Sequence, residues 1–388
     1  MVRPSIFRLT PLAVFMILFF VSSLLGQWQP DKRLTLDGVL RRENARYVAS
    51  DLSGVVHLVY GGDQIYYKRS TDSGDKWESA IPLNNDTGMS HVPSIALAGS
   101  NVYVVWCNQS NFPSVGGEYW IYFNRSTDRG VTWERSIRLT NDNSPKGSPI
   151  IAASDLNVYV IWDNYGDEGG CFYKSSTDGG VSWSENTRFG RVSDIALMGT
   201  TVHLAERGIR GIYYKRSTDL GVTWSSGILI DSSVQTVPII AVFDSCVHIF
   251  WPDFRKGDKS MEIYYTRSTD SGVTWSPNVR LTDDKFVSAF PSVVVFGKKI
   301  HLVWMIERRI PVRYGVDDEE KKRTVYYKHS TDGGTNWSQG ERLTSLSPGS
   351  EGPECPCIVV CGSTVLEVWQ EDRTGKTEIY YKRNITGK

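Results

Sequence analysis

Glu206 and Asp194 are the carboxylates whose setting invites chemistry, because Arg191, Arg207 and Arg210 stand in the same short stretch. Two carboxyl groups can divide the work of acid and base, and planar guanidinium groups grip anions in bidentate fashion. The same residues also fit a plainer arrangement, a buried ion pair of Glu206 with Arg207 or Arg210 that serves only the fold. Asp253-Phe-Arg255 and Glu371-Asp-Arg373 are further carboxylate–arginine pairs, and Arg46-Tyr47 sets a cation beside an aromatic ring. Arg46, Tyr47, Arg191, Arg207, Arg210, Asp253, Arg255 and Arg373 are therefore candidate ligand contacts, with Glu206 and Asp194 as candidate catalytic groups.

What must position them is a repeat. A version of Ser-Thr-Asp-x-Gly-x-x-Trp is written six times, at 70–77, 126–133, 176–183, 217–224, 268–275 and 330–337. The box aspartates Asp72, Asp128, Asp178, Asp219, Asp270 and Asp332 stand 56, 50, 41, 51 and 62 residues apart, near the period of propeller blades. Each box has a structural reason: aspartate accepts turn N–H bonds, glycine supplies positive φ, and tryptophan packs between sheets. Around each box lie short runs rich in Val, Ile, Tyr and Trp, such as Val102-Tyr-Val-Val-Trp106, which read as four strands per unit. Four-stranded units in tandem predict an all-β propeller of antiparallel blades.

A seventh unit starts near Gly352, carries Ile379-Tyr-Tyr-Lys-Arg383, and stops without a box or a last strand. Trp28 precedes Arg33-Leu-Thr by the offset that separates Trp133 from Arg138, so residues 27–36 are expected to complete blade 7 and close the ring. The domain then runs over 27–388, with blade 7 shared between 27–36 and 352–388. Antiparallel connections alternate between the two ends of a blade, which puts the boxes on one face and the variable loops between second and third strands on the other. Those loops are expected at Cys107 to Tyr119, Asp163 to Gly170, Arg207 to Gly211, Pro252 to Ser260, Met305 to Arg323 and Gln370 to Thr377, and function is sought there. The charged insertion 312–323 reads as solvated. The register also supplies an internal control: Tyr60, Trp106, Trp162, Trp251, Trp304 and Trp369 end the second strands, and only the fourth unit puts a glutamate, Glu206, there.

These boxes after Tyr-Tyr strands resemble the Asp-box (bacterial neuraminidase) repeats of the sialidase superfamily, over residues 27–388. The resemblance implies a box face without catalytic role, and for an active member three arginines on a substrate carboxylate, a tyrosine–glutamate nucleophile and an aspartate acid/base. The chain departs from that pattern in having seven blades and in lacking the Phe-Arg-Ile-Pro motif of the first blade, where Asn44-Ala-Arg-Tyr47 stands instead. Arg309-Ile-Pro311 repeats part of the motif inside a loop of the sixth unit. The function expected is recognition of a glycan or an extracellular protein through the variable face. The alternative is an exo-α-sialidase acting on terminal sialic acids.

Lys plus Arg and Asp plus Glu balance at 43 each, so no global charge steers the protein to nucleic acid or an anionic membrane. Arg3 and Arg8 precede an apolar run from Leu12 to Val21, which reads as a secretory signal over residues 1–26 and predicts a secreted, extracellular or periplasmic protein with no membrane attachment after cleavage. Export would make the six cysteines available for disulfides, with Cys107–Cys171 the expected pair. No metal or cofactor is expected, and the protein is expected to be a monomer.

Overall fold

The computed structural model describes residues 28–36, 46–85, 88–109, 118–142, 144–166, 169–232, 237–255, 260–311, 319–345 and 350–385. The expected leader lies outside them. The described residues form seven four-stranded antiparallel sheets and no helix. Six blades take their strands consecutively; blade 4, for example, consists of Val192–Met198, Thr201–Gly208, Gly211–Ser217 and Ile228–Asp231. Blade 7 consists of Glu354–Cys361, Thr364–Glu371 and Glu378–Asn384, with Lys32–Arg33 as its outer strand. Lys32 pairs with Tyr381, Arg33 with Tyr380, and Trp28 bridges Asn384, so the N-terminal segment closes the ring as expected.

The boxes fasten each blade to its neighbour. In blade 2, Ser126 Oγ donates to Asp128 at 2.7 Å, Gly130 N donates to Ser126 Oγ at 2.8 Å, and Thr132 N donates to Asp128 at 2.9 Å. Gly130 has φ +78°, and a Cβ there would fall 1.8 Å from the Tyr67 hydroxyl of blade 1, so only glycine permits the approach. Trp133 then packs edge-on against Tyr67 at 4.7 Å. The contact recurs round the ring, with Trp183 on Phe123, Trp275 on Tyr214, Trp337 on Tyr265, Trp28 on Tyr327 and Trp77 on Tyr381. Third-strand arginines add a grip: Arg69, Arg125 and Arg216 donate to the box turns of the following blades, and Arg383 reaches Ser73 of blade 1 across the closure. Four buried histidines complete the pattern, His57, His203, His248 and His301 lying 2.6 to 2.8 Å from the hydroxyls of Tyr67, Tyr214, Tyr265 and Tyr327.

Two expectations change. The sixth unit's supposed long loop is mostly strand, because Lys299–Pro311 and Glu319–Ser330 pair along their whole length and raise a tall hairpin. Only residues 312–318 of the insertion lie outside the described residues. None of the six cysteines is in a disulfide; Cys107 Sγ points to the Lys146 carbonyl and Cys171 Sγ to that of Phe172, so the expected pair does not form.

Candidate functional site

Asp194 and Glu206 sit on blade 4 but on opposite faces of its sheet. Val192 pairs with Glu206, whereas a bulge shifts the next pairing so that Asp194 lies opposite Ala205. A one-residue shift turns a side chain to the other face, and without the bulge Asp194 would share the side of Val192 and Glu206. The expected acid/base pair is therefore not assembled. Glu206 is nearly buried and forms an ion pair with Lys215 at 3.1 Å, not with Arg207 or Arg210. Lys215 Nζ also stands 5.9 Å from the Phe189 ring of blade 3. In other blades this place holds an indole stacked on a third-strand ring, as Trp106 on Tyr122 and Trp251 on Tyr264; Tyr213, across from Glu206, is the blade 4 equivalent of those rings.

Asp194 faces blade 5 and the axis. Its carboxylate accepts Ile195 N at 3.0 Å and Ile240 N at 2.9 Å, and pairs with Arg46 at 2.7 Å. Burial pushes its pKa up, while Arg46 and the two N–H donors pull it down. Ser94 and Ser292 do related work on other blades, accepting Ile151 N and Ile358 N of the next blade at 3.3 Å. Asp194 is thus a longer version of a repeated inter-blade acceptor, and its extra reach catches a cation from blade 1. Arg46 crosses the mouth of the ring to do so, its Nη1 also lying 3.5 Å from the Ile151 carbonyl of blade 3.

The remaining candidates divide into tied and exposed groups. Tyr47 is fully buried and its hydroxyl donates to the Cys355 and Val368 carbonyls of blade 7. Arg255 is held by Asp253 and Asp231 and lies over Tyr264 at 4.1 Å. Arg373 is held by Asp31 and Glu371 and lies over Tyr380 at 4.1 Å, so both pairs brace their loops. Arg191, Arg207 and Arg210 are exposed.

Sequence reasoning missed the boundary of blades 6 and 7. Arg323 there contacts Glu307 at 3.2 Å, Glu351 at 2.9 Å and Glu354, beside the buried Gln370 whose amide atoms have no hydrogen-bond partner. Arg323, Glu351, Glu354 and Gln370 line a narrow cleft with Asp372 and Thr377. Glu367 was missed as well. It is fully buried, neither of its oxygens has a hydrogen-bond partner, and burial pushes its pKa up to about 8. The signal was present, since Leu58, Val104, Val160, Leu204, Ile249 and Leu302 fill its register in the other blades.

Seven closed blades, with loops of unequal length on one face, define the protein as a seven-bladed β-propeller. No protein-family model matches the chain, and the comparison with curated proteins returns no match. Among solved structures it is similar to an ulvan lyase, a polysaccharide lyase, at TM-score 0.56 and 11% identity, over 88% of this chain and 93% of that one. It is similar to YCF48 bound to D1 peptide at TM-score 0.53 and 14% identity, over 92% and 95%. A Trypanosoma rangeli sialidase in complex with sialic acid matches at TM-score 0.47 and 12% identity, over 92% of this chain and 59% of its own, a likeness that carries no argument. The first two support the fold alone.

Proposed function

We propose that this is a secreted recognition propeller of the Asp-box, sialidase-like type, which binds a glycan or an extracellular protein on its variable face without catalysis. The observation that carries the reading is the state of Asp194, whose two oxygens are taken up by Arg46, Ile195 N and Ile240 N while Glu206 is turned to the other side with Lys215. Groups locked into bonds within and between blades give rigidity rather than proton transfer, which leaves the exposed loop residues to make contacts. Similar propellers have been solved with a sugar chain and with a peptide, -[GlcA(1-4)Rha3S]- on the ulvan lyase and the D1 peptide on YCF48, which is compatible with either partner.

The exo-sialidase alternative finds its nearest ingredients on blade 4, where Tyr213 lies across from Glu206 and Arg191, Arg207 and Arg210 are exposed. A glycan array probed alongside release of fluorophore from a sialoside tests both. Selective glycan binding with no turnover supports recognition; turnover that Glu206→Gln or Tyr213→Phe abolishes would replace it with the enzyme.

A further inference from the structure

The residue after each box aspartate ties its blade to the one before. Its N–H donates to the turn between the first two strands of its own blade, as Arg129 N does to Ser100 O at 2.9 Å and Gly179 N to Leu156 O at 2.8 Å, and the bond recurs from Ser73, Leu220, Ser271 and Gly333. Its carbonyl accepts from the preceding blade. Arg69 donates to Arg129 O, Arg125 to Gly179 O, Arg216 to Ser271 O, Arg267 to Gly333 O and Arg383 to Ser73 O. In blade 3, where Ser175 replaces the arginine, Tyr159 donates to Leu220 O instead. Six seams are thus closed by one residue each. Blade 7 follows its third strand with Asn384-Ile-Thr-Gly-Lys388 in place of a box, so the seam of blades 6 and 7 has no such residue among the described ones.

The blade 6 side of that seam keeps the donors without the acceptor. His329 holds the place of the gripping arginines, and its Nδ1 is buried with no hydrogen-bond partner. The Tyr327 hydroxyl meets His301 Nδ1 at 2.7 Å and lacks the box carbonyl that Tyr214 reaches at 3.2 Å on Ser271. On the blade 7 side, Ser363 stands where Ser100 stands in blade 2, with no box N–H among the described residues to accept. At this seam lies a cavity of about 300 Å³, lined by Phe296, Lys298, Lys299 and His301 of blade 6 and by Val360 and Gly362 of blade 7. Its position is that of the missing residue: a Cβ on Gly179 of box 3 would lie 3.3 Å from the Tyr103 hydroxyl, and Tyr103 holds on blade 2 the register that His301 holds on blade 6. The rim is positive. Lys298 and Lys299 are exposed, no carboxylate of the described residues lines the cavity, and Asp332, next to the lining Thr331, gives its oxygens to Ser330, Thr335 and Asn336 of its own turn. Trp28 already fills the tryptophan place against Tyr327, so the turn alone is missing.

We infer that the seam of blades 6 and 7 binds an acidic peptide turn of the form Asp-x-Gly from a partner protein, which takes the place of the seventh box. The carbonyl after the aspartate accepts from His329 or Tyr327, the N–H of the same residue donates to Ser363 O, and Lys298 and Lys299 attract the negative charge. Glycine is required two residues after the aspartate because that position presses on a ring of the preceding blade. In box 3 a Cβ on Gly180 would lie 2.5 Å from Phe123, and Tyr327 is the blade 6 counterpart of Phe123. The site lies on the box face, opposite the variable loops, and is independent of the ligand proposed for them.

A fluorescein-labelled peptide Ser-Thr-Asp-Gly-Gly-Val-Ser-amide, which copies residues 176–182, serves as the probe by fluorescence polarisation. The expected result is saturable binding that unlabelled peptide reverses and added NaCl weakens. Lys298→Glu/Lys299→Glu should weaken it by about tenfold with little change in Tm, because both side chains are exposed. His329→Arg restores the donor of the other seams and should tighten binding severalfold. A peptide with valine in place of its second glycine should not bind. Absence of saturable binding to the unaltered protein, equal affinity of the double glutamate variant, or equal binding of the valine peptide would each overturn the inference. Binding that appears only after residues 386–388 are removed would assign the cavity to the chain's own tail and overturn it as well. Any of these failures leaves the reading of the variable face standing.

Discussion

Acidification should destabilise this propeller through its four histidine–tyrosine pairs. His57, His203, His248 and His301 are 1–2% exposed, and burial lowers each pKa from 6.5 to about 4. A histidine kept neutral by folding binds its proton more readily when unfolded, so stability is intact above pH 6.5 and is lost as the pH falls from there toward 4. At pH 5 the linkage comes to a little under about 2 kcal/mol for each histidine, or about 7 kcal/mol for four. Glu367 acts in the opposite sense, since a carboxyl held near 8 gains protons in the folded state first and returns about 2 kcal/mol between pH 7 and 5. A net loss of about 5 kcal/mol in a chain of this length should lower Tm by about 5–10 °C. Calorimetric melts at half-unit steps from pH 7.5 to 5 measure it. His203→Asn keeps a polar atom where Nδ1 meets Tyr214 but does not titrate, and should remove about a quarter of the histidine contribution to the slope. A Tm that stays flat over this range, or a slope that His203→Asn leaves unchanged, would refute the reasoning.

Removing residues 28–35 deletes the outer strand of blade 7, the Trp28 contact with Tyr327 and the buried Leu34, and should lower Tm by more than about 10 °C, read by circular dichroism. Glu367→Leu restores the residue type of the other six blades; because the penalty of ionising Glu367 is greatest above its raised pKa, the gain in Tm should be larger at pH 9 than at pH 5. Asp194→Asn leaves Arg46, whose side chain is 27% exposed, without its counter-charge and weakens the buried acceptor of Ile195 N and Ile240 N, and should cost about 1–2 kcal/mol in denaturant unfolding.

The ring was legible because its determinants are local and repeated. Each box carries its own turn chemistry, and Trp28 betrays the closing strand by its distance from Arg33. Glu206 stood out because six other units show what belongs in its place. Its partner was harder to read: Lys215 reaches it from the neighbouring strand, which only the cross-strand register reveals, whereas Arg207 and Arg210 were near in sequence alone. Asp194 was misplaced for another physical reason. The bulge between Val192 and Asp194 reverses the side on which the carboxylate emerges, and a bulge has no sure mark in a single sequence. Glu367 could have been found by the same comparison that found Glu206, applied two residues earlier along the strand.

The closure of blade 7 also sets the order of events during synthesis. Residues 28–33 leave the ribosome long before their partners at 380–384, so the earlier segment must wait unpaired while the other blades stack. Contacts between such distant parts of the chain are slow to form. A chain interrupted before residue 380 would keep two open edges at once, in blade 7 and in the orphaned N-terminal strand, and would offer both to other chains. Synthesis of the strand that ends at Asn384 is therefore the checkpoint for a closed ring, and faulty products mark themselves by the edges they expose.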